Sequence, residues 1–212
     1  MVLLLASVVV ARDVVVVGER YEAASQAGWP AVLSRCLDEA RPGAFVVADA
    51  SSPGPSFAAM GRALEVAPAD AMVIVAMPPP KQLGVFERVG WRRALAALLE
   101  GAHAAGRTVL LFGPWPAARV LVAQTGSIPA SAIGIRDRDR WWVAAGEVAE
   151  RVGVRQVPWE GPEARAAAAL VPPMPVRSDF GGGPWADVPR TDAVTLGRMA
   201  CGAVLWSPGG AD

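Results

Sequence analysis

The sequence predicts a three-layer α/β/α sandwich built on a mostly parallel five-stranded sheet, and three observations carry that expectation. Short β-branched or apolar runs recur along the chain, bounded by Gly and Pro. Between them lie segments with apolar residues at helical spacing. The chain has 212 residues, of which 53% are apolar, enough for one full core and more than a disordered chain carries. Strands separated by helices need crossover connections, and such crossovers leave neighbouring strands parallel.

The elements follow in order. The opening run MVLLLASVVVA is too short to span a bilayer and has no basic residues before it. Residues 1–13 are therefore expected to be an extra strand or an arm, with a secretion signal as the weaker alternative. Val14–Val17 is a continuous β-branched run, the mark of a strand covered on both faces. GWPAVLSRCLDEARPG reads as a helix with Trp29, Val32, Leu33, Cys36 and Leu37 on one stripe and Pro42-Gly43 as its stop. Ala44–Val47 is the second strand and Ser56–Val66 the second helix. Ala71–Met77 is the third strand, ended by three prolines. Val89–Gly106 is an amphipathic helix, Thr108–Phe112 the fourth strand, Arg140–Val152 a helix and Val154–Val157 a short fifth strand. Thr191–Trp206 closes the order as a helix.

One domain is expected over residues 1–212, since neither a repeat nor a linker interrupts the pattern. Lys+Arg and Asp+Glu number 20 each, so no charge excess draws the chain to nucleic acid or an anionic membrane. The expected location is cytoplasmic. Cys36 and Cys201 each sit in an apolar helical run and read first as small buried hydrophobes. Two cysteines make no framework, and the sequence leaves a bond between them open. With a single histidine and two distant cysteines, no zinc spacing exists, so no metal is expected. Gly18-Glu19-Arg20 is no Gly-rich phosphate cradle, and no cofactor is expected.

In parallel sheets, ligands bind where loops leave the carboxyl ends of the strands. Four loops qualify: Gly18–Gln26, Ala48–Ser56, Pro78–Gly84 and Gly113–Val120. The Pro- and Gly-rich stretch 170–190 is long enough to join them at the site edge.

The order of the stretches VVVVGERY, FVVADASSPGPS, MVIVAMPPPK, WRRALAALLEGAHAAGRTVLLFGPWP and TDAVTLGRMACGAVL resembles the SGNH (GDSL-type) hydrolase family. The resemblance covers most of the chain from Val14 to Leu205 and rests on layout. It implies a flavodoxin-like topology and a site at the end of the first strand. It also implies a nucleophilic serine at Arg20, with Glu19 at the family's aspartate and Gly18 at its glycine. Gly54 matches the second-block glycine. Met77-Pro78-Pro79 stands where an asparagine would donate, and Thr191 or Asp192 stands at the histidine. A guanidinium is protonated and cannot attack a carbonyl. His103, in LLEGAHAAG, reads as a helix histidine away from the loop edge. The resemblance therefore points to a degenerate member without the Ser, Asn and His groups.

The residues remaining at the loop edge suggest other chemistry. Glu19, Arg20 and Asp49 are the catalytic candidates: a carboxylate trades a proton while Arg20 holds an anionic or carbonyl oxygen. The bland alternative is an ion pair that stabilises the loop. Tyr21, Gly54, Trp115, Asp179 and Trp185 are the substrate-binding candidates, because flat side chains on loops suit small apolar molecules. Ser25, Ser51 and Ser52 lie on the same loops without a histidine, and Ser56 and Asp49 are also natural caps. The expected function is conversion of a small molecule by cyclisation, isomerisation or elimination. A non-catalytic pseudoenzyme binding a small molecule or a protein partner is the alternative, and an atypical ester hydrolase or acyltransferase the second. Loop tryptophans equally suit a homo-oligomer or another protein partner.

Overall fold

The structure, a computed structural model, describes residues 11–20, 28–77, 85–113, 133–157 and 193–207. Its strands are β1 (Arg12–Glu19), β2 (Phe45–Ser52), β3 (Met72–Ala76), β4 (Thr108–Phe112) and β5 (Arg155–Gln156). Its helices are α1 (Trp29–Ala40), α2 (Phe57–Glu65), α3 (Val85–Ala104), α4 (Ile133–Val152) and α5 (Ala193–Leu205). The strands form one sheet in the order β2-β1-β3-β4-β5, and every pairing is parallel. This is the flavodoxin-like order, whose switch point lies between β1 and β3.

β1, β3 and β4 are apolar without alternation because helices cover both faces. Val14, Val16, Met72, Ile74, Leu110 and Phe112 face α1 and α5, with Trp29, Leu33, Leu37, Leu196 and Val204. Val15, Val17, Val73, Val75, Val109 and Leu111 face α2, α3 and α4, with Met60, Leu64, Leu95, Leu99 and Val148. Trp91 ties the second layer together. Its ring meets Trp141 edge-on at 4.7 Å and Phe57 at 6.2 Å.

Local chemistry sets the element ends. Pro30 occupies the first turn of α1, where its missing N–H costs nothing, and the helix turns out at Arg41 before Gly43, φ +71°. Ser56 caps α2 by accepting from the Ala59 N–H at 3.1 Å, the capping role its residue type suggests. α1 and α5 pack unusually close. A Cβ on Gly197 would lie 2.5 Å from the Val32 Cβ and 2.7 Å from the Trp29 carbonyl oxygen, so only glycine fits.

Several boundaries differ from the sequence expectation. β2 continues through Asp49-Ala50-Ser51 to Ser52, although these residues have low strand propensity, because Val16–Glu19 of β1 pair with them in register. The loop expected from Ala48 thus begins only after Ser52, and Gly18 and Glu19 belong to β1. α3 begins at Val85 and α4 at Ile133, and β5 shortens to two residues. Cys36 and Cys201 form a disulfide, with Cα atoms 6.1 Å apart, in place of the two free thiols read first from their apolar runs. Of the extra strand or arm expected over residues 1–13, Arg12 and Asp13 belong to β1, because they pair with Phe45 and Val46 of β2, and residues 1–10 lie outside the described residues, as does the stretch 170–190.

Among the described residues no helix is long and apolar enough to cross a membrane.

Candidate functional site

The candidate site is the carboxyl end of β1, where the strand emerges between β2 and β3. Gly18 is still a ladder residue, opposite Ser51 and Ala76. Its φ is +108°, and a Cβ there would lie 1.9 Å from the Ala76 carbonyl oxygen. The glycine is needed for the close approach of β1 to β3.

Strand alternation then divides the next residues between the two faces. Glu19 shares its face with Val15 and Val17, towards the α2 layer, and is only 9% exposed. Its carboxylate accepts from the Gly54 N–H at 2.9 Å (Oε2), in the turn between β2 and α2 where Gly54 adopts φ +58°. Such a charge-assisted bond offsets part of the cost of burying the carboxylate. The Glu19 backbone carbonyl accepts from the indole N–H of Trp29 at 3.3 Å. Trp29 is fully buried and stacks on Phe112 at 5.1 Å, so the start of α1 grips the ends of both β1 and β4.

Asp49 stands in register with Val16, on the opposite face, beside α1. Its Oδ2 accepts from Arg20 Nη2 at 2.8 Å. Its Oδ1 accepts from the Ser51 N–H at 2.9 Å and from the Ser51 hydroxyl. Both oxygens are thus engaged, and Asp49 holds the guanidinium in place. The pair is partly exposed, 42% for the Arg20 side chain and 28% for Asp49. Arg20 Nε is buried and has no hydrogen-bond partner among the described residues. A buried donor without an acceptor costs about 1–3 kcal/mol.

Of the sequence candidates, the structure brings Arg20 to Asp49 and Glu19 to Gly54. The two pairs straddle the end of β1. Tyr21, Trp115, Asp179 and Trp185 lie outside the described residues. Ser51 was read only as a loop serine, yet it fixes the second oxygen of Asp49. The Asp-x-Ser spacing is the local signal that could have found it, since an Asx turn joins those positions. Trp29 was read as helix stripe alone, and no sequence signal ties its N–H to Glu19. His103, the chain's only histidine, is exposed. It lies five residues before β4 begins, at the amino edge of the sheet and away from the end of β1.

This sheet order and layering give the fold of the SGNH hydrolases. Three solved structures are similar along nearly their full length. LAE5, an alpha/beta hydrolase enzyme from the metagenome of Lake Arreo, Spain, has a TM-score of 0.60 at 12% identity, over 96% of this chain and 98% of its own. Axe2, an acetylxylan esterase from Geobacillus stearothermophilus solved as a catalytic mutant, has 0.57 at 11%, over 93% and 94%. A candidate SGNH hydrolase from Slackia heliotrinireducens has 0.52 at 15%, over 91% and 98%. No protein-family model and no curated protein matches the sequence. At these identities the likeness establishes the fold.

Proposed function

We propose that this chain is a small-molecule-processing enzyme on an SGNH-hydrolase fold that works without a Ser–His relay. The observation that carries the reading is the buried Nε–H of Arg20, which has no hydrogen-bond partner among the described residues, at the position where the resemblance expects a nucleophilic serine. A guanidinium held by Asp49 cannot attack a carbonyl, but it can stabilise negative charge on a substrate oxygen. Glu19, on the other side of the β1 end, is the group assigned to take or return a proton. Together they suit cyclisation, isomerisation or elimination of a substrate lying across that end. His103 is too far from this edge to serve as a general base, which supports a chemistry other than ester hydrolysis. Tyr21, Gly54, Trp115, Asp179 and Trp185 remain the proposed substrate contacts, and a cytoplasmic location completes the proposal.

The second reading is a binding protein without turnover. It is favoured by the internal pairing of the site, since Glu19 is already held by Gly54 and Arg20 by Asp49. The third, an atypical ester hydrolase or acyltransferase, rests on what the similar structures are named for.

The test is conversion of a small-molecule cell extract, followed by mass spectrometry, beside hydrolysis of p-nitrophenyl acetate. The wild type should deplete at least one extract component, and Glu19→Gln and Arg20→Ala should not. Depletion that survives both substitutions overturns the assignment. Ester hydrolysis lost in Ser51→Ala would replace it with the third reading.

A further inference from the structure

The Cys36–Cys201 bond joins α1 to α5 on one face of the sheet, across a sequence separation of 165. These are the chain's only cysteines. Cys201 is 1% exposed, whereas Cys36 is half-buried at the outer side of the stripe. Seven residues before Cys36 on the same helix is Trp29. It stacks on Phe112 and donates to the Glu19 carbonyl. Gly197 of α5 presses on the Trp29 carbonyl and on Val32. A continuous packed path therefore runs from the disulfide to the end of β1.

We propose that this disulfide is a redox-controlled staple that sets the rigidity of the β1 end. A dithiol reductant supplies the electrons. Its thiolate attacks the Cys36 sulfur, the more accessible of the two, and the Cys201 sulfur leaves and takes a proton. The second thiol of the reductant then attacks the mixed disulfide and releases Cys36 as a thiol. Two protons and two electrons pass to the protein, and the reductant ends as its own disulfide. Reduction removes the covalent tie between α1 and α5, leaving their apolar packing, with the close contact at Gly197, to hold them. α5 then opens more often, and Trp29 loses the support that holds it against Glu19. An oxidising environment closes the staple and a reducing one releases it. The inference concerns the rigidity of the β1 end and stands whether or not Glu19 and Arg20 perform chemistry.

Hydrogen exchange on the full chain, oxidised and after dithiothreitol, tests it, together with thiol counting by mass spectrometry. The oxidised protein should carry no alkylatable thiol and the reduced protein two. Reduction should raise exchange at least tenfold in 193–205 and in 28–37, and several-fold at Val17–Arg20, while β3 stays protected. The double variant Cys36→Ser/Cys201→Ser should match the reduced wild type and ignore dithiothreitol. Two free thiols in the air-oxidised protein would overturn the proposal. So would unchanged exchange on reduction, or a rise confined to α5 that leaves Val17–Arg20 as before. Global unfolding on reduction would overturn it too, since the bond would then be a general stabiliser.

Discussion

Gly18 and Ala76 approach so closely that a Cβ on the former would lie 1.9 Å from the carbonyl oxygen of the latter. Neither backbone can give way, because both residues sit in the central ladder between β1 and β3. Gly18→Ala is therefore expected to cost more than about 4 kcal/mol, through the clash and the strained φ together. Urea unfolding would measure it, and loss of soluble folded protein is the limiting outcome. A near-neutral effect would mean that β1 and β3 are not paired as described.

Glu19 offers a graded comparison. Glu19→Gln keeps an acceptor oxygen for the Gly54 N–H and should cost about 1 kcal/mol. Glu19→Ala leaves that N–H unpaired and should cost roughly 2–3 kcal/mol. Chemical denaturation of both variants gives the difference directly. The Gln variant is thus the cleaner probe of chemistry, since it removes the proton-carrying group with little structural change.

Arg20 and Asp49 should behave oppositely. Their ion pair is partly exposed, and such pairs contribute about 0–1 kcal/mol. Arg20→Ala should shift the unfolding midpoint little, while abolishing ligand conversion or weakening ligand binding more than tenfold. An unchanged function with a large loss of stability would make the pair a structural brace alone.

Gly197 reports on the contact of α1 with α5. Gly197→Ala places a methyl 2.5 Å from the Val32 Cβ and 2.7 Å from a carbonyl oxygen. A cost of about 2–3 kcal/mol is expected, read as a lowered thermal midpoint. Adding Val32→Ala should recover little, because it removes only the Cγ1 contact at 2.7 Å while the Val32 Cβ and the Trp29 carbonyl oxygen stay.

The strands and layers were legible because burial on both faces writes itself as continuous apolar runs. β4 matches its expected limits, Thr108–Phe112, residue for residue. β2 did not, since Asp49-Ala50-Ser51-Ser52 is held extended by pairing with β1 and not by its own propensity. The strand that leads to the candidate site was readable from Val14–Gly18. Its wiring was not: Glu19 meets Gly54 across 35 positions, and Cys36 meets Cys201 across 165. No local pattern encodes such distances. Alternation did contain one further fact, that Glu19 and Asp49 leave the sheet on opposite faces, but it becomes visible only when the register is known.

The placement of His103 has a practical consequence. As the sole imidazole, exposed near the amino edge of β4, it is a natural single-site label. Diethyl pyrocarbonate should modify one group per chain and leave any activity at the β1 end intact. In most hydrolases of serine type, that reagent is an inactivator. Here it becomes a spectator tag, and its NMR signal follows folding from the edge of the sheet opposite the end of β1.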